Sequence, residues 1–311
     1  MARAPRNAAP PRLPADDAAF RDLLDPRMKW GVRRARWQAG LRDGFERGIG
    51  RPLERWLYRR WTQGRGARVE AWGLPRRMIE DELGEALTVE VDPRTLIRDF
   101  NAKGVGGKKP SSSSFIWDGD WDRTRGDLRR GSRYRFISDL DIHRDDLTRT
   151  ERFSQLRSRL DSGRPWSSYQ QGLLLDSEAK ILAYLQTYLA FLDDMAIRGF
   201  DAERGKDELG VAITRDGHLL KINRGLHRLA MAQRLGIPRV PVRVRAVHRQ
   251  WWDRVTHGAQ GEAALARVRE ALPGCVPETA PGDLHPLPDY GPFEWPAPRR
   301  AFATQRALSD A

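Results

Sequence analysis

Apolar residues along this chain repeat at two periods, three-to-four and two, and these separate predicted helices from predicted strands. Residues 30–47 place Trp37, Leu41 and Phe45 at helical spacing among many arginines. Gly48, Gly50 and Pro52 punctuate that run, and Leu53, Trp56, Leu57 and Trp61 then define a second helical stripe. The ALTVEV run at 86–91 reads as a strand closed by Asp92-Pro93. Helical segments are predicted at 149–161 and 167–174. A longer helix is predicted over 177–198, where Ile181, Leu182, Leu185, Tyr188, Leu189, Leu192 and Met195 share one broad stripe. Asp176 or Ser177 would cap its start, and Gly199 would end it. Leu209 to Thr214 reads as a strand, Arg215-Asp216-Gly217 as a tight turn and residues 218–222 as the partner strand. Residues 223–225 then open a helix ending at Gly236, followed by the strand VPVRVRAV. Beyond Trp251-Trp252 the pattern predicts a helix to about 271 and a Pro-rich tail whose Phe293 and Trp295 strap across the domain.

Alternating and helical segments in this mixture predict an α+β fold, with a small mixed sheet and flanking helices. The organisation expected is a basic, partly disordered and helical extension over 1–68, a main domain over 69–250, and a C-terminal helix and tail over 251–311. Within the extension, residues 1–16 are rich in Ala, Pro and Arg and too poor in apolar surface to order themselves. Of the chain's net +13, residues 1–68 hold 17 basic and 7 acidic side chains, a local +10. The charge therefore describes the extension more than the core, and points it toward an acidic membrane surface or nucleic acid. The ordinary expectation for its tryptophan stripes is burial against the main domain, with arginine facing water. A single cysteine, Cys275, excludes an intramolecular disulfide framework and fits a reducing compartment, so a cytoplasmic or peripheral-membrane location is expected. No window approaches 18 continuous apolar residues, and the N-terminus has no apolar signal region.

Candidate chemistry is confined to a few places. Residues 103–114 form a Gly/Lys/Ser loop with the composition of a phosphate loop, but Pro110 follows Lys109 where the Walker pattern requires Ser or Thr. In FIWDGDWDRT, Asp118, Asp120 and Asp122 alternate and in an extended segment would share one side. That arrangement could hold a hard cation, yet Arg123 and Arg129 stand where a calcium loop needs glycine and a carboxylate. The alternative is a turn whose carboxylates cap local backbone. Gly225 stands at a strand-to-helix junction, where free N–H groups and the positive end of the helix dipole meet. His227 and Arg228 in the first turn add donors. The alternative for this loop is structural, with Arg228 paired to a buried carboxylate and Gly225 only a turn.

The run Gly225-Leu226-His227-Arg228, then Leu229-Ala230-Met231-Ala232, then Val240-Pro241-Val242 resembles the ParB/sulfiredoxin superfamily. With Gly119-Asp120-Trp121-Asp122 upstream, it is similar to a prokaryotic ParB-like branch. The resemblance implies a phosphate-bearing ligand, most simply a nucleotide, bound by Asn223, Arg224, Gly225, His227 and Arg228. It departs from sulfiredoxins, because Leu226 stands where their reactive cysteine follows the loop glycine. It departs from chromosome-partitioning ParB proteins in its loop sequence and in having no helix-turn-helix. The superfamily includes kinases of free serine, so phosphotransfer or nucleotide hydrolysis with magnesium and ATP, ADP or CTP is one expectation. Asp120, Asp122 and Glu208 are then the acidic candidates for metal or proton handling. The other expectations are a non-catalytic nucleotide- or phosphosugar-sensing module and a nucleic-acid-binding protein.

Overall fold

The strand, turn, strand, helix and strand expected between 209 and 250 form the centre of a mixed sheet. The structure, a computed structural model, describes residues 19–100, 110–204, 208–222, 224–281 and 291–298. In chain order the strands are β1 (Thr88–Val91), β2 (Arg98–Phe100), β3 (Ile116–Trp117), β4 (Arg125–Asp127), the separate hairpin β5 (Trp166–Ser168) and β6 (Leu173–Leu175), and then β7 (Leu209–Ile213), β8 (Leu219–Lys221) and β9 (Val240–His248). The seven-stranded sheet has the order β1-β9-β7-β8-β2-β4, with β3 paired to β9. Neighbours β7 and β9 are parallel, β7 and β8 antiparallel, and β8 and β2 parallel. Central β7 is buried along its whole length, which explains why it reads as an unbroken apolar run. In β9, buried Val240, Val242 and Val244 alternate with Arg243 and Arg245, the signature of a strand with one wet face.

The chain divides into two compact units, Met1–Ala35 with Asp139–Lys206, and Arg36–Ser138 with Asp207–Ala311. These do not follow the divisions expected at 68 and 250, and Trp61 ties the helix that carries it into the second unit. Its helices, α1 (Lys29–Phe45, entering from the first unit), α2 (Arg51–Thr62), α3 (Ala67–Ala71) and α4 (Arg76–Leu83), precede the sheet. Gly48 and Gly50 do not stop the helix but widen it into a π-helical turn over Glu46–Gly50. Trp61 is fully buried, donating to Glu70 Oε2 at 2.7 Å, while Trp252 donates to Glu70 Oε1 at 3.1 Å. The expected burial of the other aromatic positions does not occur, since Trp37, Phe45 and Trp56 are exposed.

α5 (Ser132–Ile142) follows β4 and runs on into the first unit, which also contains α6 (Glu151–Asp161), α7 (Glu178–Arg198) and the β5–β6 hairpin. Ser177 caps α7 through Lys180 N, as its sequence suggests, and Gly199 ends it. The helix expected over 167–174 is this hairpin: Gly172 adopts φ 77° at the turn, and the fully buried Leu173–Leu175 run belongs to a strand. Helix α8 (Leu226–Leu235) follows β8. After β9 the expected single helix is broken into α9 (Arg249–Thr256) and α10 (Gly261–Ala271) by His257 and Gly258, both at positive φ. The tail does reach the second unit's surface: Phe293 and Trp295 stack edge-on with Tyr134, and Arg94 lies over Trp295. Among the described residues no helix is long and apolar enough to cross a membrane.

Candidate functional site

Two polar clusters occupy opposite ends of the β7–β8 hairpin. At the turn end, Asp122 is fully buried and Asp120 is exposed. Asp122 accepts from the Arg215 backbone N–H at 2.8 Å and from its guanidinium Nη2 at 2.6 Å, and Asp120 accepts from the same Nη2 at 3.0 Å. His248 bonds Gly119 O through Nε2 at 2.9 Å and stacks against Trp121. Burial pushes the Asp122 carboxyl up, but the Arg215 hydrogen bonds outweigh it and hold the group below the usual carboxylate range. The three alternating aspartates therefore do not share a side. Gly119, at φ 85°, breaks the extended run, leaving Asp118 and Asp120 at the surface while Asp122 turns inward to pin the hairpin. Asp120 and Asp122 are committed to Arg215 and are not brought to the Gly225 loop. Glu208 is committed too, pairing with Arg245 of β9, which also binds Glu80.

At the other end, β8 delivers the loop that opens α8. Asn223 lies outside the described residues. Arg224 takes φ 86°, an unfavourable value for a residue with a side chain, and Gly225 is left-handed at φ 66° before the right-handed Leu226. A left-handed residue followed by a right-handed one aims successive N–H groups into one concavity, a nest suited to an anionic oxygen. Gly225 O also accepts the first helical bond, from Leu229 N at 2.9 Å. His227 and Arg228 sit half-buried in the first turn, with Phe136 of α5 edge-on to the His227 ring.

The loop is braced from beneath by Lys221, the last residue of β8. Its side chain is completely buried, and its ammonium donates to Gly210 O at 3.1 Å and to the carbonyls of Ile222 and Arg224. Two of these carbonyls belong to the loop and its approach. Across the parallel β2–β8 ladder the register partner of Lys221 is Asp99. Burial pushes the Asp99 carboxyl up to about 6, with Lys221 pulling it down and Asp127 pushing it further up. On the next strand Gly126 faces Asp99, and a Cβ there would lie 2.1 Å from Asp99 Oδ1, so a side chain at 126 would displace this carboxyl. Helix α8 fixes the approach to β2 as well: Gln233, fully buried, donates to Pro93 O at 2.9 Å and Leu96 O at 3.1 Å.

Neither Asp99 nor Lys221 stands out in the sequence. RDF is too short for a strand signal, and a lysine in LLK reads as an edge position. Asp99 is nonetheless a carboxylate with a raised pKa on the strand next to β8, in register with Lys221, whereas Asp120, Asp122 and Glu208 are held by Arg215 and Arg245. Residues 103–109 of the Gly/Lys/Ser loop lie outside the described residues. Cys275 is buried and its thiol is pushed up to about 11, so it stays protonated at neutral pH. Among the described residues no group of three or more His, Cys, Asp or Glu side chains gathers as a metal site. No family model, curated protein or solved structure matches the chain.

Proposed function

We propose that the chain binds a phosphate-bearing ligand, a nucleotide, at residues 224–228, and that Asp99 accepts a proton during phosphoryl transfer. The reading rests on one observation, the left-handed turn of Arg224 and Gly225 at the start of α8, braced by the buried Lys221 ammonium; burial raises the carboxyl of Asp99, the register partner of Lys221, toward the range of a base. A carboxylate ionised at neutral pH but more basic than usual suits a general base. The acceptor oxygen would bond to the terminal phosphorus as the bond to the nucleoside diphosphate breaks, and the acceptor's proton would pass to Asp99. With no dedicated carboxylate cluster among the described residues, magnesium would arrive held by the phosphates. The likeness of Gly225-Leu226-His227-Arg228 to the ParB/sulfiredoxin loop supports the same ligand class.

The test is a thermal-shift and titration series with ATP, ADP, CTP and sugar phosphates, with and without magnesium, alongside an assay of nucleotide turnover. Arg228→Ala is expected to weaken binding by about 1.5–3 kcal/mol, the usual worth of a hydrogen bond to a charged group. Arg224→Gly relaxes the positive φ and is expected to raise the melting temperature while weakening binding. Asp99→Asn is expected to bind and not turn over. Binding without turnover by the parent protein would leave a sensing module, and equal binding by the loop variants and the parent would remove the site altogether.

A further inference from the structure

The helical stretch before Trp61 presents an apolar face that nothing in the described fold covers. Trp37, Leu41, Phe45, Ile49, Leu53 and Trp56 are each between 51% and 64% exposed, whereas Trp61 is fully buried. From Arg36 to Ile49 every side chain the structure describes is exposed. Gly40, Gly44 and Gly48 fall in the same stretch, and a Cβ added at any of them would meet nothing within 4 Å. Glycine disfavours helix and an uncovered helix gains nothing from packing, so this element calls for an external surface.

The six side chains stay on one face because of the π-helical turn. An α-helix advances about 100° per residue, so each four-residue step from Trp37 to Leu41 to Phe45 rotates the stripe by about 40°. Continued through Ile49 and Leu53, that drift would carry the stripe onto the polar side. The turn over Glu46–Gly50 holds more residues per revolution and takes the rotation back, and the three-residue step from Leu53 to Trp56 does the same. Around this face, residues 36–62 carry seven arginines against three carboxylates. Arg36, Arg47, Arg51, Arg55, Arg59 and Arg60 are exposed, with the Arg60 guanidinium 5.0 Å from the Trp56 ring centre.

We propose that residues 36–56 form an interfacial helix that lies along an anionic lipid bilayer, its apolar face among the acyl chains and its arginines on the lipid phosphates. Tryptophan and phenylalanine suit the headgroup boundary, and arginine can extend from an apolar stem to a phosphate. The charge selects this occupant. A second copy docked through the same face would set two arginine-rich flanks against each other. Nucleic acid would take the arginines but leave Leu41, Ile49 and Leu53 in water. An acidic bilayer surface absorbs both the charge and the aliphatic side chains.

Vesicle flotation of the full chain tests this, using phosphatidylcholine alone and phosphatidylcholine mixed with phosphatidylglycerol, at low and moderate salt. Binding is expected to the mixed vesicles, weakened by salt, with quenching of tryptophan emission by bromine-labelled acyl chains. The triple variant Leu41→Ser, Phe45→Ser, Ile49→Ser changes only exposed positions; it is expected to keep the parent's melting temperature and lose roughly tenfold or more in vesicle partition. Equal binding to neutral vesicles, no quenching, or full retention by the variant would overturn the proposal. So would a parent dimer that the triple variant dissociates, or parent retention on RNA that the variant abolishes. If the variant fails to fold, the quenching measurement on the unaltered chain decides alone.

Discussion

Asp99 carries a linkage between protonation and folding that can be measured without knowing any ligand. Its folded pKa, about 6, lies above the ordinary 3.8, so between those values the native state holds more protons than the unfolded chain. Stability attributable to this group is therefore fully present below about pH 4 and is lost as the pH rises through 6, by about 2–3 kcal/mol in total. In Asp99→Asn the contribution is absent at every pH. Urea unfolding of parent and variant from pH 4 to 7.5 should show the variant gaining on the parent by that amount, with the change confined to the interval between 4 and 6. A difference that stays level across the series would mean that Asp99 ionises normally, and the proposed base would lose its physical support.

Among the elements, the β7–β8 hairpin depends on a charge pair rather than on its turn residues alone. Arg215 stands at the turn, and Asp122 bonds both its backbone N–H and its guanidinium while itself fully buried. Removing Asp122 leaves the Arg215 backbone N–H without this acceptor and its guanidinium on the exposed Asp120, and breaking a buried pair of this kind costs about 3–5 kcal/mol. Asp122→Ala is expected to lower stability by that much in denaturant unfolding, while Asp120→Ala, at an exposed position, is expected to cost about 0–1 kcal/mol. Equal and small losses would show that the turn is held by something else. The same reasoning separates structure from chemistry within the Gly119-Asp120-Trp121-Asp122 segment, which the geometry commits to scaffolding one end of the hairpin while the candidate site occupies the other.

For the whole molecule, the basic N-terminal region does not detach where its composition changes. Trp61 is buried, and Glu70 accepts from Trp61 and Trp252 together, so the helix carrying Trp61 belongs to the second unit. A chain begun at Ala67 would expose the Trp252 ring and leave Glu70 with one donor fewer. It is expected to aggregate or to melt well below the full chain, as large-to-small core changes at tryptophan cost about 3–5 kcal/mol. A soluble truncated chain melting with the parent would show that residues before 67 contribute nothing to the fold.

The local pattern by itself determined the α+β class, the long 177–198 helix with its serine cap, and the strand, turn, strand, helix and strand around Gly225. Each of these rests on interactions within a few residues: periodic burial, caps, and glycines at required positive φ. Tertiary structure alone decided which polar residues meet. The aspartate run, the lysine of LLK and the carboxylate of RDF look alike in sequence as isolated charges in short apolar surroundings. Sheet order then put Asp122 on Arg215, Glu208 on Arg245, and Asp99 in register with Lys221, whose ammonium reaches the Arg224 carbonyl. Pairing between strands far apart in the chain, and the desolvation that comes with it, has no local signature, which is why the turn and helix start at Gly225 could be read from their residues and the pairing of Asp99 with Lys221 could not.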